Sequence, residues 1–216
     1  MIIGINGKMG SGKDTVAEII NELLITNGET PFENKKFAGK LKTIASILTG
    51  IPVEKFEDQE FKKSLLAPEW GTVKENPLNS ITPFNDTKFN HLMSVRELLQ
   101  KLGTEAMRDG LHTNVWVNAL FADYNPGYTI SPLDVDNKAP DNWIITDMRF
   151  PNEMEAVKDR GGLTIRITRP DSAKESHISE TALDDAKFNY EILNDSTLED
   201  LVKKVRGILV NENIIK

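Results

Sequence analysis

The stretch MIIGINGKMGSGKDTVAEII constrains the fold more than any other part of the chain. Apolar residues at Ile2, Ile3 and Ile5 run into a glycine-rich turn, and after Lys13 the apolar positions take helical spacing at Val16, Ile19, Ile20, Leu23 and Leu24. The pattern is strand, loop, helix. Gly7, four intervening residues, then Gly12 and Lys13 match the phosphate-binding loop, in which backbone amides at a helix N-terminus face a phosphate and the lysine reaches the outer phosphates. Gly10, Ser11 and Gly12 fall inside that loop. The pattern normally puts Ser or Thr directly after the lysine to ligate magnesium, whereas here Asp14 stands there and Thr15 follows. Spacing alone also admits a glycine-rich turn that binds nothing.

Beyond this unit the chain is read by the alternation of its elements. KKFAGKLKTIASILTG gives a short strand ending near Ala38 and a helix with Leu41, Ile44, Ala45 and Leu48 on one face, ended by Gly50 and Pro52. From Pro52 to about Asn90 the sequence holds Pro68, Pro77 and Pro83 and no sustained period, and it reads as an excursion from the core. SVRELLQKLGTEAM carries a capping box, Ser94 with Glu97, and a stripe of Val95, Leu98, Leu99, Leu102 and Ala106. A second helix is expected over roughly 114–124. NWIITDMRFPNEMEAV is an apolar strand ending in Asp147, with Pro151 in the first turn of a helix. Another strand, GLTIRITRP, follows. NYEILNDSTLEDLVKKVRGIL closes the series as strand and helix, with a capping box at Ser196 and Glu199 and a stripe of Leu198, Leu201, Val202, Val205 and Leu209.

Strands alternating with helices predict a parallel sheet covered on both faces, whose ligand site lies at the carboxyl ends of the strands. The phosphate loop, Asp147 and Asn194 all fall at such ends. With 216 residues, 39% of them hydrophobic, one well-packed domain is expected. The absence of cysteine excludes a disulfide framework, a thiolate zinc site and a cysteine nucleophile. A net charge of -7 argues against broad contact with a nucleic-acid backbone. Neither a bilayer-spanning run nor a secretory leader is visible, so a soluble, cytoplasmic protein with no membrane partner is expected.

Three further groups carry chemistry. Arg96, Gln100 and Gly103 lie at i, i+4 and i+7, on the face away from the leucine stripe. Arginine binds phosphate through a rigid fork, glutamine can bond a base edge, and glycine admits a planar group close to the backbone. An ordinary solvated helix face is the alternative. At the next strand end, Asp147, Arg149 and Glu153 combine two carboxylates with a guanidinium, where such enzymes hold magnesium or its water shell. The plainer readings are a surface ion pair for Asp147 with Arg149, and a helix N-terminal carboxylate for Glu153. Arg166, Arg169, Lys174 and His177 surround RITRPDSAKESHISET, a place suited to arginines that close over a transferring phosphoryl group. Arg166 can instead be a half-buried strand residue. Trp116 can stack on a base or belong to the core. Phosphoryl transfer to a phosphate acceptor needs positive charge and alignment rather than a strong base, and the chain offers Lys13, several arginines and no convincing Ser-His-Asp set.

GKMGSGKDT, SVRELLQKLGTE, VWV, TDMRFPNEMEA, RITRP, SHISE and ILNDSTLEDL stand in the order seen in the deoxynucleoside monophosphate kinases of tailed bacteriophages, and the chain resembles that family. The resemblance leaves 51–93 and 125–141 uncovered. It implies a three-layer P-loop fold of the nucleoside monophosphate kinase type with a five-stranded parallel sheet, and transfer of the γ-phosphate of ATP to a deoxynucleoside 5′-monophosphate with magnesium. Carried over by position, Gly10, Ser11, Gly12, Lys13, Asp14, Thr15 and Asn194 would serve ATP, with Asp14 and Thr15 holding magnesium through water. Arg96, Gln100, Gly103, Thr104 and Trp116 would form the acceptor site, joined by Asp147, Arg149 and Glu153. Lys13, Asp147, Arg149 and Arg169 would carry the catalysis. Glu97 departs from the family, which places a second basic residue there, and Lys42 is a candidate to compensate. The expected organisation is a single domain over 1–216, with core 1–50 and 94–216, an acceptor-side excursion 51–93 and a lid at about 169–186. A homodimer, and the host cytoplasm for a phage-encoded chain, complete the expectation. Another small-molecule kinase, such as one acting on dephospho-coenzyme A, and an ATP-sensing module without turnover are the alternatives.

Overall fold

A computed structural model describes residues 1–71, 92–127, 139–170 and 181–216. The described chain divides into two compact units, Met1–Phe37 with Val117–Lys216, and Ala38–Trp116.

The first unit is built on strands β1 (Ile2–Asn6), β2 (Glu33–Lys35), β3 (Trp143–Ile145), β4 (Leu163–Thr168) and β5 (Tyr190–Leu193). They form one sheet in the order β2-β3-β1-β4-β5, and every pairing is parallel. The parallel sheet expected from the alternation is present, with the five strands that the resemblance implies. β1 is central, and its first four residues are buried. Ile3 and Ile5 share a core with Ile165, Ile167 and Ile192 of the neighbouring strands. That core is covered by Val16, Ile19, Ile20 and Leu24 of helix α1 (Lys13–Thr26) and by Leu201, Val205, Ile208 and Leu209 of the last helix, which spans Leu198–Asn211. Each fully buried aliphatic side chain here contributes about 1.5–3 kcal/mol.

Alternation along β1 turns Gly4 to the opposite face. There a Cβ would meet Met148 Sδ at 3.0 Å and Val157 at 3.3 Å, so glycine lets the helix over Pro151–Lys158 pack close to the sheet. Pro151 opens that helix, as its fixed φ favours. Trp143 at the head of β3 stacks on Phe121 at 6.0 Å, and Phe37 meets Phe121 edge-on.

The second unit contains helix α2 (Gly39–Thr49), three short 3-10 turns over Val53–Glu57, Phe61–Lys63 and Pro68–Trp70, and helix α3 (Val95–Gln100). Phe56, Leu66, Val95, Leu98 and Ala45 form its core. Helix α4 (Val115–Phe121) follows and carries the chain back to the first unit. In chain order the helices over Pro151–Lys158 and Leu198–Asn211 are α5 and α6. Among the described residues, no helix is long and apolar enough to cross a membrane.

Several sequence expectations are corrected locally. The strand expected to reach Ala38 stops at Lys35, because the amide of Phe37 bonds a side chain instead of a neighbouring strand. Leu48 and Leu198 are exposed, so the buried stripes of α2 and α6 are narrower than their apolar spacing suggests. The helix begun at Ser94 is α only to Gln100 and continues as a π-helical stretch over Lys101–Asp109. The α6 cap is Thr197, whose side chain accepts from the Asp200 amide at 3.3 Å. Ser196, expected in that role, donates to the Asp200 carboxylate at 2.6 Å and holds it below the usual carboxylate range.

This assignment separates two adjacent hydroxyls. In urea unfolding, Thr197→Ala should lose about 1 kcal/mol, while Ser196→Ala stays within about 0.5 kcal/mol. Equal losses would return the cap to Ser196.

Candidate functional site

β1 ends at Asn6, and α1 does not begin until Lys13, so residues 7–12 must turn the chain without a ladder. Gly10 and Gly12 take φ of 78° and 99°, the left-handed region that side chains disfavour. Gly7 is required for a different reason: a Cβ there would lie 2.5 Å from Ser11 Oγ and 2.6 Å from the Ile167 carbonyl. The Ser11 amide closes the turn by donating to the Lys8 carbonyl at 3.1 Å. Lys13 curls back over the loop, and its Nζ donates to the carbonyls of Gly7 at 2.6 Å and Lys8 at 2.9 Å. The ammonium is thereby held above the turn at the positive end of α1, where a phosphate is favoured.

Two other elements fasten this loop. Asn194, just beyond β5, donates through Nδ2 to the Ser11 carbonyl at 2.9 Å, and its own amide bonds Thr168 at 2.7 Å. A Cβ on Gly12 would lie 2.6 Å from that same Nδ2. Lys8 pairs with Asp184 at 3.7 Å. Ser11 is buried, and among the described residues its Oγ has no hydrogen-bond partner. Asp14 is exposed and Thr15 half-buried in the first turn of α1.

The second cluster is the turn after β3. Asp147 Oδ1 accepts the Phe37 amide at 2.8 Å. Glu153 is only 4% exposed, and its Oε2 accepts the amides of Arg149 at 2.7 Å and Phe150 at 3.0 Å. Glu153 therefore caps α5 and shapes the backbone that carries Arg149, which is the helix N-terminal reading of this carboxylate. Arg166 donates to the carbonyls of Leu183 and Asp184 and lies over Phe188 at 4.5 Å, as a half-buried strand residue does. Arg169 follows β4 and is exposed. Most of the segment expected as a lid, with Lys174 and His177, lies outside the described residues.

In the second unit, Arg96 and Gln100 are half-buried, and Arg96 Nη2 donates to Gln59 at 3.3 Å. Gly103 does not share their face. It is buried, a Cβ on it would lie 2.8 Å from Leu41 Cδ2, and its carbonyl accepts the Trp116 indole N–H at 2.8 Å. Five-residue hydrogen bonding from Lys101 changes the angular step per residue, so the i, i+7 alignment of an α-helix fails at this point. Trp116 is 8% exposed and packs as a core residue, and Thr104 is half-buried. Lys42 is 7% exposed and pairs with Glu57 at 2.6 Å, so it is not a solvated helix lysine.

A family model described as deoxynucleotide monophosphate kinase matches residues 71–205, more than half of the chain. The chain belongs to the deoxynucleotide monophosphate kinase family. The match begins inside the 51–93 stretch that the motifs left uncovered. The chain is 25% identical to the deoxynucleoside-5′-monophosphate kinase of Escherichia phage T5, over 90% of this chain and 89% of that protein. It is 32% identical to the deoxynucleotide monophosphate kinase of Enterobacteria phage T4, over 54% of this chain and 45% of that one. Among solved structures, a shikimate kinase from Aquifex aeolicus is similar at a TM-score of 0.45 and 13% identity, covering 99% of this chain and 98% of that one. Membership places the chain among phosphotransferases.

Among the described residues, no three His, Cys, Asp or Glu side chains gather into a metal cage. A magnesium ion needs no such cage, since it is typically held by one or two protein oxygens with water and substrate phosphates completing its shell. Asp14 and Thr15, adjacent hard oxygen donors beside the phosphate loop, meet that description. Sequence reasoning missed Glu57 and Gln59, the partners of Lys42 and Arg96. They lie at and just beyond a 3-10 turn, where no periodic signal marks them.

The contact between Gly12 and Asn194 yields a test of the loop. Gly12→Ala adds about 1–2 kcal/mol of left-handed strain to the clash with Nδ2, so ATP binding measured by calorimetry should weaken about tenfold or more. Unchanged ATP affinity in Gly12→Ala would show that the loop does not hold the nucleotide.

Proposed function

We propose that the chain transfers the γ-phosphate of ATP to a deoxynucleoside 5′-monophosphate, giving the diphosphate for deoxynucleotide supply. The observation that carries this reading is one sheet edge holding both a phosphate loop with its lysine folded over the turn and a separately fastened turn presenting Asp147 and Arg149.

Gly10, Ser11, Gly12, Lys13 and Asn194 hold the donor phosphates. Lys13 exchanges its bonds to the Gly7 and Lys8 carbonyls for phosphate oxygens, a preorganised exchange that leaves the ammonium where it already is. Asp14 and Thr15 would hold magnesium through water, and the bound ion would neutralise charge on the donor phosphates. Asp147 orients the acceptor, its carboxylate fixed by the Phe37 amide. Arg149 and Arg169 stabilise the charge that develops during in-line transfer, whereas Arg166 is committed to backbone carbonyls. Arg96, Gln100 and Thr104 bind the acceptor, while Gly103 and Trp116 support the helix that carries them. Lys42 contributes positive charge inside the second unit, and Glu153 acts on the acceptor site through the backbone of Arg149. Because the acceptor phosphate is already ionised at neutral pH, no general base is required.

The test is coupled ADP release with ATP and magnesium across the deoxynucleoside and ribonucleoside 5′-monophosphates. Deoxynucleotide turnover that disappears in Lys13→Ala is expected. Arg149→Ala should lower kcat by about 10³ while ATP affinity stays within about threefold. ATP binding without turnover of any of these acceptors would overturn the reading in favour of another small-molecule kinase or a nucleotide sensor.

A further inference from the structure

Glu153 is not the only group holding the turn that carries Arg149. Asn6, the last residue of β1, donates through Nδ2 to the Met148 carbonyl at 2.8 Å. Met148 lies between Asp147 and Arg149, and its own side chain is buried over Gly4 of the same strand. Both the carbonyl and the thioether of Met148 are therefore tied to β1. The other end of the Asn6 amide is also engaged: Oδ1 accepts from Arg166 Nε at 3.4 Å, and Arg166 is in turn held by the Asp184 carbonyl at 2.9 Å. One amide at the end of β1 thus joins the turn after β3 to Arg166 of β4, and the next residue in the chain is Gly7, the first of the phosphate loop.

We infer that Asn6 is a positioning residue for phosphoryl transfer, fixing Arg149 relative to the phosphate loop through the Met148 carbonyl. The inference rests on the role given to Arg149 above. In-line transfer tolerates little displacement of the groups that meet the phosphoryl oxygens, and an error of about 1 Å can cost about 10²-fold in rate. The covalent step from Asn6 to Gly7 places the origin of the fastening one residue from the loop it has to match. An aliphatic residue at position 6 could complete the strand, yet it would leave the Met148 carbonyl without this donor. Asparagine supplies a donor for one neighbour and an acceptor for the other within a single planar group.

Steady-state kinetics on Asn6→Ala, Asn6→Asp, Arg149→Ala and the double variant Asn6→Ala with Arg149→Ala test this, alongside ATP affinity and the thermal midpoint of each. Asn6→Asp keeps the shape and an acceptor toward Arg166 but, ionised, cannot donate to Met148. Both single substitutions at Asn6 should lower kcat about tenfold with ATP affinity unchanged, and the Asn6→Ala loss should vanish when Arg149 is already alanine. The same loss with and without Arg149, or wild-type kcat in Asn6→Asp, overturns the inference while leaving the kinase reading intact. Unchanged kcat in Arg149→Ala overturns the role of Arg149, and the inference with it.

Discussion

Because β1, β3, β4 and β5 all run the same way, their carboxyl ends lie along one edge, and residues far apart in sequence have to be reconciled there. Asn6, Asp147 and Asn194 each stand at or just beyond one of those ends, and Arg166 lies in the β4 ladder opposite Asn6. The parallel ladders supply this convergence before any side chain finds a partner. What the ladders leave unsettled is the course of the chain once it quits each strand, and the fastenings along the edge settle that. Central placement of β1 matters most: it pairs with both β3 and β4, so the loop that follows it is flanked by two other strand ends.

Most of the fastenings join a side chain to a backbone atom. Lys13 reaches two carbonyls, Asn194 the Ser11 carbonyl, Glu153 two amides and Asp147 the amide of Phe37. Such bonds set the path of the main chain, on which the direction of every functional side chain depends. Bonds that involve an ionised group are also the stronger class, so a carboxylate such as Glu153 is well suited to hold a turn. A site fixed in this way meets the transition state without first reorganising, which is where electrostatic catalysis gains most. Lys13 fits the same logic, because its donors are aligned by carbonyls that substrate oxygens can replace.

How much of this was legible follows from how each residue is used. Glycines that take left-handed φ and a lysine at a helix start are forced by local geometry, so GKMGSGKDT announced the phosphate loop. Apolar spacing gave the sheet and the covering helices, since burial obliges it. Long-range polar bonds leave no such trace: nothing in the spacing marks Asn6 as the partner of Met148, 142 residues away, or Glu57 as the partner of Lys42. Glu153 was legible in place but ambiguous in role, because a carboxylate three residues into a helix suits both a ligand and a cap. Ser196 and Thr197 illustrate the same limit at a distance of one residue. Both can cap, and which of them faces the helix amide depends on the backbone arriving from β5.

The second unit shows how a local feature can redirect a whole face. The Glu97 amide is capped by Ser94 at 3.1 Å, and the Glu97 carboxylate lies 3.5 Å from Lys101. These contacts make Glu97 part of the helix's own support. At Lys101 the hydrogen bonding changes to the π pattern, and Gly103 turns inward against Leu41 and the indole of Trp116. A larger residue at 103 would collide with Leu41, so glycine here serves packing between α2 and the π-helical stretch. Elsewhere in the unit, Arg96 reaches Gln59 and the buried Lys42 reaches Glu57. Only the Lys42 end of its pair with Glu57 is buried, and the Glu57 carboxylate stays exposed at 2.6 Å from it. Glu57 therefore supplies, from a 3-10 turn outside α2, the carboxylate partner that the buried Lys42 ammonium meets within the helical unit.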